Sequence, residues 1–350
     1  MEVFIPAYIE ALQEEIKGYN KKLAGYKVIS IYIGGGTPSY IDEKNIYRIL
    51  YNCRENFDIT HDCEITIEAN PGTITPEKLL CYKESGINRI SIGLQSSDNR
   101  LLKILGRIHT AEDFLKSMEF ISAAGIKNVN ADIMFALPFQ TTEDWENTLK
   151  MAADSNITHI SCYSLKIEEG TPFADALERK EIYEVSDEVD REMYYLAKKI
   201  LKEKGYEHYE ISNFSKPGYQ CRHNNVYWNL GNYIGFGAGA HSYFDRTRYN
   251  NCYDIRGYIK NISNGINVVE NYEEISLNET ISEYIILGLR LIKGIDITAF
   301  EKYFGKSIFT LFGKQIENFV KEKLLEIEGT FLRLTEKGLD LANVVMREFI

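Results

Sequence analysis

No run of about 18 apolar residues occurs in this 350-residue chain, so no segment is expected to span a bilayer. A basic surplus is missing too. The formal net charge is −11, which argues against a general binder of nucleic acid or anionic membrane. The opening Met1-Glu2-Val3-Phe4 has neither the basic region nor the apolar region of a secretory signal. A cytoplasmic protein is therefore expected. Cysteine is sparse: Cys53, Cys63, Cys81, Cys162, Cys221 and Cys252 are scattered, which excludes a disulfide framework and shows none of the paired thiols of a usual metal site. Free thiols, several of them buried, are expected. Low-complexity linkers and short-period repeats are also lacking.

What the chain does contain is alternation. Ile5, Tyr8, Ile9, Leu12 and Ile16 follow the 3.6-residue period of an amphipathic helix. Val28–Ile33 then reads as a buried parallel strand entering Gly34-Gly35-Gly36. Further strands are expected over Glu64–Ala69, Arg89–Leu94, Val129–Phe135 and His159–Leu165, with helical sequence between them. Thr141 with Asp144 makes a capping box. Ser186 caps a helix whose inner face is Val189, Met193, Leu196, Ala197, Ile200 and Leu201. Repeated βα units imply a parallel sheet with helices outside. From about Tyr206 the chain becomes rich in Tyr, Asn, Gly and Trp, with strand-like stretches through Tyr243. Leu277 to Ile350 looks helical, with a hairpin over Leu325–Leu334 around Gly329 and a last helix capped by Thr335. This resembles a small winged-helix unit. Residues 296–350 carry eight Lys/Arg against nine Asp/Glu, so a DNA-binding wing has no electrostatic support.

Polar residues gather just after strand ends, the rim where barrels do their chemistry. Gly34-Gly35-Gly36-Thr37-Pro38 can bring backbone N–H groups close to a carboxylate or phosphate. It is neither a Walker A loop nor a dinucleotide fingerprint. Glu68, in Glu68-Ala69-Asn70-Pro71, is a carboxylate within an apolar strand and needs a partner, structural or ligand. Gln95, Arg107 and Asp132 add to the same rim. Each alone is as well explained by structure as by function. Together they suit one zwitterion that carries ribose hydroxyls. His223, with Tyr227 and Trp228, offers an iron ligand beside two aromatic faces. The alternative is that His223 and Asn224 hold a loop while the aromatics fill a seam. His61, His109, His159 and His208 read as ordinary surface or core residues.

The series GGGTP, E-x-N-P, R-x-S-x-G-x-Q-S, LGR-x-H and D-x-M-x-x-LP, running through residues 28–172, resembles the oxygen-independent coproporphyrinogen III oxidase-like family of radical-SAM proteins. Tyr209-Glu210-Ile211-Ser212-Asn213-Phe214, His223-Asn224-Asn225-Val226-Tyr227-Trp228 and Gly237-Ala238-Gly239-Ala240-His241-Ser242 are similar to its HemW-type haem-chaperone branch. The resemblance implies an α/β fold: a partial (β/α)6 radical-SAM barrel missing its first strand, with a smaller C-terminal α+β, winged-helix-like domain. Residues 1–215 would form the partial barrel, 216–272 a connecting region with the HNxxYW and GAHS strings, and 273–350 the C-terminal domain. S-adenosylmethionine (SAM) would meet Gly35, Gly36, Thr37, Glu68, Gln95, Arg107 and Asp132, with Lys166 and His241 at further positions. Haem is the other implied ligand, near His223, Tyr227 and Trp228. Partners would be a haem-acceptor protein and a peripheral membrane partner, with no nucleic acid.

Two departures stand out. Phe135-Ala136 replaces the Gly that the family carries before Leu-Pro. The family's C-x-x-x-C-x-x-C loop, and the strand before it, are missing from this sequence. Three thiolates hold the family's [4Fe–4S] cluster, so radical chemistry is not expected here, and SAM binding is expected to be weak. The chain reads either as shortened at its N-terminus or as a cluster-free paralogue. A missing first strand would leave the next strand's edge unpaired. The function implied is haem binding and transfer, with an oxygen-independent coproporphyrinogen III oxidase as the alternative.

Overall fold

A computed structural model describes residues 2–350; Met1, the start of the stretch compared above with a signal, lies outside them. Two compact units emerge. One comprises residues 31–43 and 64–221, the other residues 2–30, 44–63 and 222–350.

The unit of residues 31–43 and 64–221 is organised by a seven-stranded sheet. Its strands are β1 (Lys27–Ile33), β2 (Asp58–Ala69), β3 (Arg89–Gln95), β4 (Asn128–Phe135), β5 (His159–Ser164), β6 (Glu207–Glu210) and β7 (Asn213–Ser215). Their order is β1-β2-β3-β4-β5-β7-β6. β2 to β5 run parallel, as the βα alternation predicts, and curl into a half-barrel. β7 and β6 then close that side antiparallel. That hairpin was visible in the sequence only as strand-like character. β1 corrects one expectation: it is half-exposed rather than buried, because it has a neighbour on one side only. The capping box at Thr141 forms, and so does the Ser186 cap. Of the face read for the Ser186 helix, Met193, Ala197, Ile200 and Leu201 are buried.

Burial sets a pH limit on this unit. His208 stacks on Phe214 with ring centroids 4.4 Å apart, and its Nε2 donates to the Ile211 carbonyl. Burial pushes its pKa down from the ordinary 6.5 to about 4. The fold therefore holds a neutral ring that the unfolded chain protonates first. Stability is complete above pH 6.5 and drains away as pH falls from 6.5 towards 4, by about 3 kcal/mol over that window. His208→Gln keeps a donor and does not titrate. Thermal unfolding from pH 7 to pH 4 should lose part of its acid sensitivity in this variant; an unchanged pH slope would rule His208 out as its source.

In the other unit, β8 (His241–Phe244), β9 (Thr247–Asn251) and β10 (Val269–Glu274) form an antiparallel sheet in the order β10-β9-β8. The amphipathic helix lies at Ile5–Gly18, with Ile9, Leu12 and Ile16 buried. Glu15 is buried with them. Its carboxylate accepts from the Gly237 N–H at 2.8 Å, from Asn251 Nδ2 at 2.6 Å and from the Tyr258 hydroxyl at 2.5 Å. The helix Ile255–Ser263 carries Tyr258 against this first helix. The last segment runs helix (Leu277–Gly288), β11 (Ile295–Asp296), helices (Ile297–Phe304 and Ile308–Lys321), then the hairpin β12 (Leu325–Glu328) and β13 (Phe331–Leu334). With the strand order β11-β13-β12, this is a winged-helix arrangement, and Gly329 turns its wing at φ +58°.

Candidate functional site

Polar residues recur at every second position on four neighbouring strands. β2 carries Glu64, Thr66 and Glu68; β3 carries Arg89, Ser91, Gly93 and Gln95; β4 carries Asn130 and Asp132; β5 carries His159 and Ser161. Alternate residues of a strand share a face, and the register lines them up: Glu68, Ser91, Asn130 and His159 form one row, Gly93, Asp132 and Ser161 the next. The intervening Ile65, Ile67, Ile90, Ile92, Leu94, Val129, Ala131 and Ile133 are buried on the opposite face. One side of the parallel sheet is thus lined by hydrogen-bonding groups.

The glycine-rich turn meets this face at Glu68. The carboxylate accepts from the Gly35 N–H at 3.1 Å and from the Tyr32 hydroxyl at 3.0 Å. Gly35 and Gly36 have φ of +87° and +64°, and the space where side chains would stand is open. Thr37 accepts from Asn70 Nδ2 at 3.0 Å. Gln95 ends β3 in the left-handed region at φ +64°, beyond a break in register after Gly93. A Cβ on Gly93 would stand 2.9 Å from Gln95 Nε2 and 3.4 Å from Asn70 Oδ1, so glycine there lets the amide fold back towards Asn70. Gly35, Thr37, Glu68 and Gln95 therefore come together at the carboxyl ends of β1 to β3.

Asp132 lies one strand further on, and its orientation is fixed by a network. Ser91 Oγ donates to Asp132 Oδ2 at 3.0 Å; Asn130 Nδ2 donates to Asp132 Oδ1 at 2.9 Å and to Ser91 Oγ at 2.7 Å. A carboxylate accepts only, which settles the orientation of the Asn130 amide. Asn130 Oδ1 must then accept, and it does so from His159 Nδ1 at 2.6 Å and Ser161 Oγ at 3.1 Å. His159 Nε2, left without a proton, accepts from the Tyr209 hydroxyl at 2.8 Å. Burial, and then Arg89, hold His159 well below its usual pKa, so it stays neutral. Burial opposes the charge of Arg89, and the Glu64 carboxylate nearby offsets it. Ala136 has φ +56° where the family carries Gly; the Cβ penalty there is about 1 kcal/mol.

Three further predicted positions have other surroundings. Arg107 follows the helix Asn99–Ile104, is half-buried, and makes no side-chain ion pair with the described residues. Lys166 is exposed and pairs with Glu168 at 3.0 Å. His241 belongs to the other unit, where its Nε2 meets the Tyr253 hydroxyl at 3.0 Å. In that unit the helix Arg222–Trp228 places His223 and Tyr227 one turn apart. Nδ1 of His223 bonds the Ser30 hydroxyl at 3.1 Å, and Nε2 the Tyr227 hydroxyl at 2.7 Å. The Arg290 guanidinium lies over the Trp228 ring at 4.4 Å.

The first comparison is with protein families. Residues 4–152 match the model of the radical SAM superfamily, and residues 275–341 that of the HemN C-terminal domain. The heme chaperone HemW of Lactococcus lactis is 36% identical over 346 residues, covering 99% of this chain and 90% of that protein. The heme chaperone HemW of Bacillus subtilis is 32% identical, covering 99% and 92%. The chain belongs to the HemW family. Among solved structures, coproporphyrinogen III oxidase (HemN) of Escherichia coli superposes with a TM-score of 0.83 over 98% of this chain and 82% of that one; at 23% identity the likeness concerns the fold.

Membership of this radical-SAM family implies SAM and a [4Fe–4S] cluster. The six cysteines are free thiols, five of them buried, and among the described residues no three His, Cys, Asp or Glu side chains converge where a metal ion could sit. These residues do not fit the cluster, and no step below runs through it. SAM is a different case: the open Gly35-Gly36 turn, Glu68 and Asp132 offer N–H donors and carboxylates to a zwitterion. No helix among the described residues is long and apolar enough to cross a membrane.

Proposed function

We propose that this member of the HemW family binds haem and hands it to an acceptor protein, with a SAM site on its half-barrel. The observation that carries the reading is the near full-length similarity to proteins named heme chaperone. Gly35, Gly36, Thr37, Glu68, Gln95 and Asp132 are the residues that would hold SAM, with Arg107 and Lys166 as further contacts. The turn would meet the amino-acid end, and the carboxylates the amine and hydroxyls. His223 is the proposed iron ligand. Both its ring nitrogens are engaged, so iron at Nε2 requires the Tyr227 hydroxyl to give way. Tyr227 and Trp228 would then face the macrocycle. The acceptor is proposed to be a haem protein, with a peripheral membrane protein as a candidate.

Haemin titration tests this. The protein should give a Soret shift that saturates near one equivalent, and His223→Ala should lose it. No shift in the wild type would reject the haem reading, and an unchanged shift in His223→Ala would reject the ligand. The fold likeness to coproporphyrinogen III oxidase brings no substrate with it. Turnover of coproporphyrinogen by this chain would revive that reading.

A further inference from the structure

In the unit that holds His223, the turn after the helix Ile5–Gly18 and the strands β9 and β10 line an open pocket of about 240 Å³. Its walls include Tyr19, Tyr249 and Tyr272, with Lys22 and Asn267 between them. Lys22 is the one charged side chain of the lining. Its ammonium lies 5.3 Å from the Tyr19 ring centroid, 5.0 Å from that of Tyr249 and 5.1 Å from that of Phe244. An ammonium among three ring faces is held in place by their negative quadrupoles while it stays open to solvent. It donates to the Tyr249 hydroxyl at 3.3 Å, which uses one of its three N–H groups. Asn267 Oδ1 accepts from the Val269 N–H at 3.0 Å, leaving its amide N–H pair as further donors. Tyr272 is 64% exposed, an aromatic face left at the mouth of the pocket.

Flat apolar walls, one fixed ammonium and an amide donor form a recognisable combination. It matches a ligand with a planar ring system and a carboxylate at its edge. A simple cation is excluded by Lys22, and a plain apolar ligand would leave the ammonium without a counter-charge. A polyphosphate would find a single cation, Lys22, and beside it a strand, β10, that carries Glu270, Glu273 and Glu274. We infer that this pocket binds the carboxylate edge of a flat aromatic acid, with Lys22 on the carboxylate and Tyr272 against the ring. For a haem carrier that acid is a tetrapyrrole held by a propionate; this identification rests on the function proposed above. The volume suits one edge of a macrocycle rather than the whole, so the ring would lie across Tyr272 with its far side in solvent. Such a seat needs no iron, and it differs in that respect from ligation by His223.

Metal-free protoporphyrin IX is the probe that separates the two, because it has the propionates and lacks the iron. Its fluorescence on titration should report saturable binding to the wild-type protein. Lys22→Met should weaken that binding about tenfold, the usual scale for one charge-assisted contact. Tyr272→Ala should weaken it severalfold, and protoporphyrin dimethyl ester should bind wild type and Lys22→Met alike. Lys22 and Tyr272 are both exposed, so the variants fold. Equal protoporphyrin affinity in wild type, Lys22→Met and Tyr272→Ala overturns the pocket. If that happens while the haemin Soret shift stays sensitive to His223→Ala, the haem reading stands and only this seat is lost. If neither porphyrin binds, both fall.

Discussion

Glu15→Ala should remove about 3–5 kcal/mol of stability from the unit that contains it, the largest loss expected of any single substitution discussed here. The variant strands two buried donors, the Gly237 N–H and the Tyr258 hydroxyl, and takes one of two acceptors from the Asn251 amide, which keeps the Gly237 carbonyl at 2.9 Å. Asn251 cannot compensate from its other end, since its Oδ1 is buried with no partner. Glu15→Gln should cost less, because one amide oxygen still accepts while the amide nitrogen now faces a donor. Urea denaturation gives the order wild type, then Gln, then Ala. A midpoint for Glu15→Ala within error of wild type would show that those donors find other acceptors. The Gly237-Ala238-Gly239-Ala240 loop is the segment most exposed to the change. Glu15 holds it at Gly237, and Tyr8 accepts from the Ala238 N–H at 3.1 Å.

Asn130→Leu should destabilise the half-barrel by about 3 kcal/mol, even though leucine keeps the branched shape of asparagine. Asn130 is the hinge of the polar face: it donates to Asp132 and Ser91 and accepts from His159 and Ser161. Leucine fills the space and leaves a half-buried carboxylate oxygen and a buried imidazole N–H without the partner they had. Asn130→Ala adds a cavity to the same deficit and should cost more. Chemical denaturation of the two variants separates the contributions. Tolerance of leucine within 1 kcal/mol, on the order of a single neutral hydrogen bond, would mean that packing rather than the network holds this row. The same substitution frees Asp132 to turn, so any SAM affinity should fall with it.

Much of this was legible in the residues. The five strands expected between Val28 and Leu165 are β1 to β5, because apolar runs between turn residues leave little choice of element. The wing hairpin and its Thr335 cap follow from local turn chemistry. The candidate site was half legible. Glu68, Gln95 and Asp132 could be picked out as polar groups near strand ends, and the alternation behind them was equally present in Arg89-Ile90-Ser91-Ile92-Gly93. What that alternation could not show was partnership. An arginine inside a strand becomes tolerable only once the Glu64 carboxylate is known to lie near it. Asn130 and His159 acquire a role only through the register that sets them side by side. Glu15 was the hardest to foresee. It sits on the buried face by helical spacing, and its acceptor role depends on donors 222 to 243 residues away.

That separation has a consequence for how the protein is made. Glu15 and Tyr258 are 243 residues apart, and residues 64–221, which lie between them, build the other unit. Closing so large a loop carries an entropy cost that grows with the logarithm of its length. During translation, the helix Ile5–Gly18 precedes its partner by on the order of tens of seconds, at about 5–20 residues per second. For that interval Tyr8 and Ala11, which pack with Cys252, Tyr258 and Val268, lack those partners, while the half-barrel can already condense. The nascent chain therefore presents an orphan apolar helix, a natural client for whatever shields unfinished proteins at the ribosome.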